Sequence, residues 1–306
     1  MTFRVAIGPS SFAEEDPTPL RLLEAVGLEI VPNPYGRRLD EGEIIAHLAG
    51  IDGLIAGLEP LNRKVIESAP QLKAIARVGI GVTNVDFAAA ADCGVKVSST
   101  PDPPAIAVAE LTVAALLSLA RKLPATDRAL HRKEWKKQIG LGLMRAKILL
   151  IGYGRIGRRV GHLLRAFGTE IMVYDPLLGE TDFHHGERSV SLHEGLEEAD
   201  AVSLHASGTE CVLGAEEISR MKKGAILLNS ARGELVDEKA LIKALEAGQL
   251  GAAWFDAFWQ EPYNGKLCEM EQVLLTPHVG TYTRQCRLEM ESEAVRNLLR
   301  DLGVDG

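Results

Sequence analysis

Along the first hundred residues, short apolar runs alternate with segments whose apolar residues recur at helical spacing. FRVAIG, LEIVPN, DGLIAGL, LKAIARVG and VKVSST read as strands. PLRLLEAVG, EGEIIAHLAG, NRKVIESAP and VDFAAAADCG lie between them and read as helices. Strand, helix, strand at this spacing predicts a parallel sheet covered on both faces. STPDPPAIAVAE then breaks the rhythm with three prolines near residue 100, and a long apolar helix follows. Beyond it the alternation restarts with AKILLIG, EIMVYD, DAVSLH, AILLNSA, GAAWFDAF and VLLTPH. These runs are almost continuously apolar, as strands buried on both faces must be. TRQCRLEMESEAVRNLLRDL closes the chain as one amphipathic helix. The fold class predicted is α/β, with two Rossmann-like or flavodoxin-like parallel-sheet domains, one of them discontinuous.

Length and charge narrow the function. At 306 residues the chain is the size of two domains. A net charge of −8 argues against a nucleic-acid partner, because phosphate binding needs a positive surface. The basic run HRKEWKK (131–137) has helical spacing and reads as a solvated helix face. Cys93, Cys211, Cys268 and Cys286 show neither CxxC spacing nor zinc-finger partners, so no metal site is expected and reduced thiols in the cytoplasm fit. No signal peptide is visible at the start, and AIAVAELTVAALLSLA carries Glu110 and reads as a buried helix rather than a membrane span.

The most informative local stretch is KILLIGYGRIGRRVGHLLRAFGTEIMVYD. Gly152, Gly154 and Gly157 form GxGxxG between a strand and a helix, with Tyr153, Arg155 and Ile156 completing the loop. Gly152 permits the tight turn, Gly154 lets the backbone approach a pyrophosphate, and Gly157 lets the helix pack closely. The helix N-terminus offers free N–H groups to the phosphates, and Arg155 adds charge. Asp175 ends the next strand at the distance expected of a ribose-binding acid, which favours NAD over NADP. A turn cap before Pro176 is the plainer alternative for Asp175.

Arg232, Glu261 and His278 each fall just past the end of a later strand. Singly they read as a surface ion-pair partner, a solvated loop acid and a core histidine. Together, at one sheet edge of a dinucleotide domain, they fit reduction of a 2-keto acid. An imidazole donates to the developing alkoxide, a carboxylate favours and orients the imidazolium, and a guanidinium grips the substrate carboxylate or carbonyl.

These residues sit within a longer ordered set: RVGIGVTNVD, VAELTVAALLSLAR, IGYGRIGRRV, MKKGAILLNSARGELVDEKAL, FDAFWQEP and TPHVGTYT. The set resembles the D-isomer-specific 2-hydroxyacid dehydrogenase family, and TPHVGTYTRQCRLEMESEAVRN is close to its phosphoglycerate branch. The resemblance covers about residues 50 to 300. It implies that Arg232 binds substrate, Glu261 orients the histidine and His278 is the proton donor. It implies that Val78, Gly79, Ile80 and Gly81 hold the substrate carboxylate through backbone N–H groups. Arg77 beside them is a cation that a phosphorylated substrate such as 3-phosphoglycerate would use, or else an interdomain ion-pair partner. His205, Ala206, Ser230, Ala231 and Gly280 would line the NAD site, and Asp256 would contact the nicotinamide amide. The substrate domain would comprise 1–98 and 281–306, the NAD domain 99–280, and a homodimer would form through the 105–120 helix. Pro104 and Ala105 replace polar residues common in the family. A non-catalytic NAD-sensing or corepressor-like protein on the same fold is the rival reading, and a Rossmann methyltransferase is a more distant one.

Overall fold

The computed structural model describes residues 2–304. The chain divides into two units, residues 1–104 with 281–306, and residues 105–280. The first unit contains strands β1 (Arg4–Ile7), β2 (Glu29–Val31), β3 (Gly53–Ala56), β4 (Ala74–Arg77) and β5 (Lys96–Ser99) in the order β2-β1-β3-β4-β5. The second contains β6 (Lys147–Ile151), β7 (Glu170–Tyr174), β8 (Arg188–Ser189), β9 (Ala201–Leu204), β10 (Ala225–Asn229), β11 (Leu250–Phe255) and β12 (Val273–Leu275). Their order is β12-β11-β10-β9-β6-β7-β8. Every strand pair in both sheets is parallel. Both sheets are of the open doubly wound kind.

The continuous apolar runs have their explanation in the strand period of two. In β6, Leu149 and Ile151 pack into one core with Leu204, Leu227 and Phe255. Ile148 and Leu150 point the other way, into a core with Val160, Leu228 and Trp254. The first sheet repeats the arrangement: Leu54 and Ala56 face one side, Ile55 the other. Each large side chain so buried contributes roughly 1.5–3 kcal/mol relative to exposure. The closing helix, Arg284–Leu302, starts at the Thr283 cap, ends at Gly303 in the left-handed region, and lies on the helix Thr18–Ala25 and on β3, β4 and β5.

Helix Pro103–Ala120 is long and apolar enough to cross a membrane by length and composition, and 61% of that stretch is buried. Val113, Leu116 and Leu119 pack it into the second unit's core.

The run at 131–137 corrects its sequence reading. The helix Leu123–His131 stops there, because Lys133 turns left-handed (φ +63°). The Lys133 N–H then donates to Leu130 O at 2.8 Å and the Glu134 N–H to Ala129 O at 2.9 Å, closing the helix end. The chain beyond it is irregular and exposed, with Arg132 and Lys136 both paired to Glu134. The run is solvated, as expected, but not helical.

Candidate active site

Chain order reverses in the seven-stranded sheet between β6 and β9, and a ligand crevice opens beyond the carboxyl ends of strands at such a point. Gly152–Gly157 follows β6 there. Gly152 has φ +88°, and a Cβ on it would lie 2.6 Å from Ala206 N. A Cβ on Gly157 would lie 2.3 Å from Gly152 O. Protein atoms therefore require both glycines. Gly154 differs: a Cβ there would meet nothing within 4 Å. The space it keeps free is an open cradle at the start of helix Arg155–Arg165, and a dinucleotide pyrophosphate fits it. His205 borders the same turn, its N–H donating to Ile151 O at 2.7 Å. Its Nε2 pairs with Ser203 Oγ at 2.9 Å, its Nδ1 is buried without a partner, and burial pushes the ring down to about 3, so it is neutral.

Asp175 performs the capping role named as its plainer alternative. Its Oδ2 accepts from Tyr153 N at 2.8 Å and its Oδ1 from Leu177 N at 3.0 Å. Each oxygen keeps an acceptor position for a ribose hydroxyl. The Tyr153 side chain is 2% exposed and its hydroxyl donates to Glu187 at 2.6 Å, so Tyr153 meets the turn through its main chain. Arg155 and Gly154 are exposed and Ile156 is half-buried.

Three loops at the ends of β10, β11 and β12 carry the second half of the site. His278 Nδ1 lies 2.9 Å from both Glu261 oxygens. Burial acts to raise the Glu261 carboxyl, but the hydrogen bond and charge of His278, the Phe258 N–H and the Arg232 charge outweigh it and hold the carboxyl below its ordinary value. The ionised carboxylate can only accept, so Nδ1 carries the proton, and the ring's other nitrogen, Nε2, is on a side chain 43% exposed. Arg232 acts on Glu261 through its charge, while its Nη1 donates to Ala231 O at 2.7 Å. The next residue, Gly233, must lack a side chain: a Cβ there would sit 2.2 Å from Trp259 N, so the two loops touch through their backbones. Asn229 shapes the Arg232 turn, accepting from Ala231 N at 3.0 Å and donating to Arg232 O at 2.8 Å. Ser230 and Ala231 are half-buried in that turn.

Asp256, expected at the nicotinamide amide, is held by its own chain. The residue is 2% exposed, and its carboxylate is engaged by Thr276, Val279 and Gly280 of its own chain, at 2.6, 2.9 and 2.8 Å.

In the first unit, the Val78–Gly81 nest is narrower than expected. Val78 N donates to Ala56 O at 2.9 Å and Gly79 N to Thr100 Oγ1 at 2.7 Å. Those two N–H groups are spent inside the unit, which leaves Ile80 and Gly81 as donors. Arg77 is 7% exposed, its guanidinium packs against Gly79, and its charge acts on Glu59, itself 1% exposed. Glu59 fills the reversal point of the five-stranded sheet: a Cβ on Gly8 would lie 2.1 Å from its Oε1.

Comparison with known proteins identifies the family. Residues 113–280 match the family profile described as D-isomer specific 2-hydroxyacid dehydrogenase, NAD binding domain. The D-3-phosphoglycerate dehydrogenase of Methanocaldococcus jannaschii is 36% identical over 295 residues, covering 92% of this chain and 55% of that protein. The hydroxypyruvate reductase of Thermotoga maritima is 34% identical over 276 residues, covering 87% of this chain and 90% of its own. The chain belongs to the D-isomer specific 2-hydroxyacid dehydrogenase family. Its fold matches that of a Thermus thermophilus protein of known structure, with TM-score 0.90, 34% identity, and coverage of 99% and 98% of the two chains. This chain spans about half the length of the phosphoglycerate dehydrogenase relative and most of the reductase.

Several residues that shape this family member's site escaped the sequence reading: Thr276, Gly233, Asn229, Glu187 and Glu59. Thr276 and Gly233 lie inside the quoted TPH and SARG motifs, beside residues that were picked out. Glu187 and Glu59 carry no local signal, because their roles arise only where distant loops meet.

Proposed function

We propose that this family member is an NAD-dependent oxidoreductase interconverting a D-2-hydroxy acid and its 2-keto acid. One observation carries the reading: an imidazole held by both oxygens of an ionised carboxylate on which the Arg232 charge acts, at the strand ends of an NAD-binding domain. NAD, when bound, supplies or takes the hydride. Gly152–Gly157, Asp175, His205, Ala206, Ser230 and Ala231 are the residues to hold it. His278 Nε2 gives a proton to the carbonyl oxygen during reduction and removes it during oxidation. Glu261 fixes the Nδ1–H tautomer and balances the imidazolium charge. Arg232 binds the substrate carboxylate and polarises its carbonyl.

The burial of Arg77, 7% exposed, favours small unphosphorylated keto acids over 3-phosphohydroxypyruvate. The test follows NADH absorbance with glyoxylate, hydroxypyruvate, pyruvate and 3-phosphohydroxypyruvate. Turnover of at least one, with the phosphorylated substrate not the best, is the expected result. NADH binding without any turnover would return the sensor reading, and failure to bind NADH would return the methyltransferase.

A cytoplasmic homodimer completes the proposal. Trp135, Ile139 and Met144, at 81%, 94% and 78% exposure, follow the apolar 103–120 helix and form apolar surface that a second copy would cover. Ultracentrifugation of Ile139→Glu beside the wild type tests it, with a shift from dimer to monomer expected.

A further inference from the structure

We propose that Asp256 is a positioning residue for the acid–base histidine: its carboxylate, bridged by Thr276, locks the 276–280 loop so that His278 is held in the left-handed backbone region. The proposal rests on the reading of His278 as the proton donor and adds how the donor is kept in place.

The observations are geometric. Asp256 follows β11 and is 2% exposed. Its Oδ1 accepts from Thr276 Oγ1 at 2.6 Å and from Val279 N at 2.9 Å, and its Oδ2 accepts from Gly280 N at 2.8 Å. One carboxylate thus grips the chain two residues before His278 and one and two residues after it. Thr276 is fixed in turn, its N–H donating to Phe255 O at 3.1 Å and its hydroxyl accepting from Trp254 Nε1 at 3.0 Å. With both flanks tied to one group, the chain between them must reverse tightly. His278 N donates to Thr276 O at 2.9 Å, and His278 takes φ +55°. That conformation is unfavourable for a residue with a Cβ and persists only where the surroundings over-determine it. Gly280 closes the clamp, since a Cβ there would lie 3.1 Å from Asp256 Oδ2 and 3.0 Å from Val108 Cγ2. A carboxylate has about four acceptor positions, and three are used. The grip presents the imidazole to Glu261, 17 residues earlier in the chain.

The experiment compares Asp256→Asn, Thr276→Val and Thr276→Ser with the wild type. Three quantities are read: kcat with the best keto acid, NADH affinity by fluorescence, and the low-field Nδ1–H proton resonance of His278 in the cofactor-free protein. The expected result for Asp256→Asn is a loss of the Nδ1–H signal and a fall in kcat of about 10²-fold, with NADH affinity near that of the wild type. Thr276→Val should move both in the same direction by less, and Thr276→Ser, which keeps the hydroxyl, should restore them. An unchanged Nδ1–H signal in Asp256→Asn, or equal kcat in the Val and Ser variants, would overturn the clamp. So would a loss of NADH affinity with kcat preserved, because that pattern belongs to a direct cofactor contact. If Asp256→Asn does not fold, the Thr276 pair decides alone. Turnover retained in His278→Ala would instead refute the acid–base reading, while the resonance still reports on the clamp.

Discussion

Two turns in the same domain use the same left-handed backbone for opposite ends. Gly152 takes φ +88° after β6, and His278 takes φ +55° after β12. At Gly152 the turn packs main chain against main chain, so glycine adopts it freely and a Cβ would only collide with Ala206. At His278 the turn exists to present a side chain, and glycine cannot do that. The strain of a Cβ in that region, about 1–2 kcal/mol, is therefore accepted and held down by the Asp256 grip. The difference teaches where strain belongs in this fold: the binding half of the site avoids it, and the chemical half stores it.

Substitutions can break or sharpen this contrast. The largest effect is expected on the side-chain half. Arg232→Lys loses the planar fork, so kcat/KM for the keto acid should fall by about 10²–10³-fold while NADH affinity, by fluorescence titration, changes far less. Equal losses of both would mean the two halves are not separable.

The support beneath the main-chain turn comes next. Burial would raise the Glu187 carboxyl, but the Tyr153 hydroxyl, the main-chain N–H groups and Arg165 outweigh it and bring it to about 2. Its side chain is 1% exposed. A folded value below the unfolded one means stability fully present above the ordinary carboxyl value and lost as the pH falls toward 2. The contribution is on the order of 3 kcal/mol. Glu187→Gln should unfold earlier in urea at pH 7, and its gap to the wild type should narrow steadily between pH 5 and 2.

Gly157→Ala should cost about 1–3 kcal/mol in the same unfolding assay, because its Cβ meets Gly152 O, and NADH affinity should fall with it. The smallest and sharpest comparison is at position 278. His278→Gly and His278→Ala both lose the imidazole, yet the glycine variant should be more stable by about 1 kcal/mol. Replacing Gly152 by Ala should destabilise, reversing the preference between the two turns.

Much of this was legible in the chain. The strands could be read because burial on both faces leaves nearly unbroken apolar runs, as in KILLI and AILLN. The glycine turn could be read because its requirements are local and each glycine has a separate steric reason. Arg232, Glu261 and His278 could be named because each follows a strand end, and parallel strands bring those ends to one edge. What could not be read depends on distant partners. Whether Val78 and Gly79 keep a free N–H is decided by Ala56 and Thr100. The burial of Asp256 against its own loop is decided by residues 20 to 24 positions later. The helical spacing of HRKEWKK misled because a left-handed lysine, not glycine or proline, ends that helix.

The most direct measurement pairs NADH titration with steady-state turnover in His278→Ala. The account predicts near wild-type NADH affinity together with a fall in kcat of about 10²–10⁴-fold on the best keto acid. Turnover close to that of the wild type, with the imidazole gone, would contradict it.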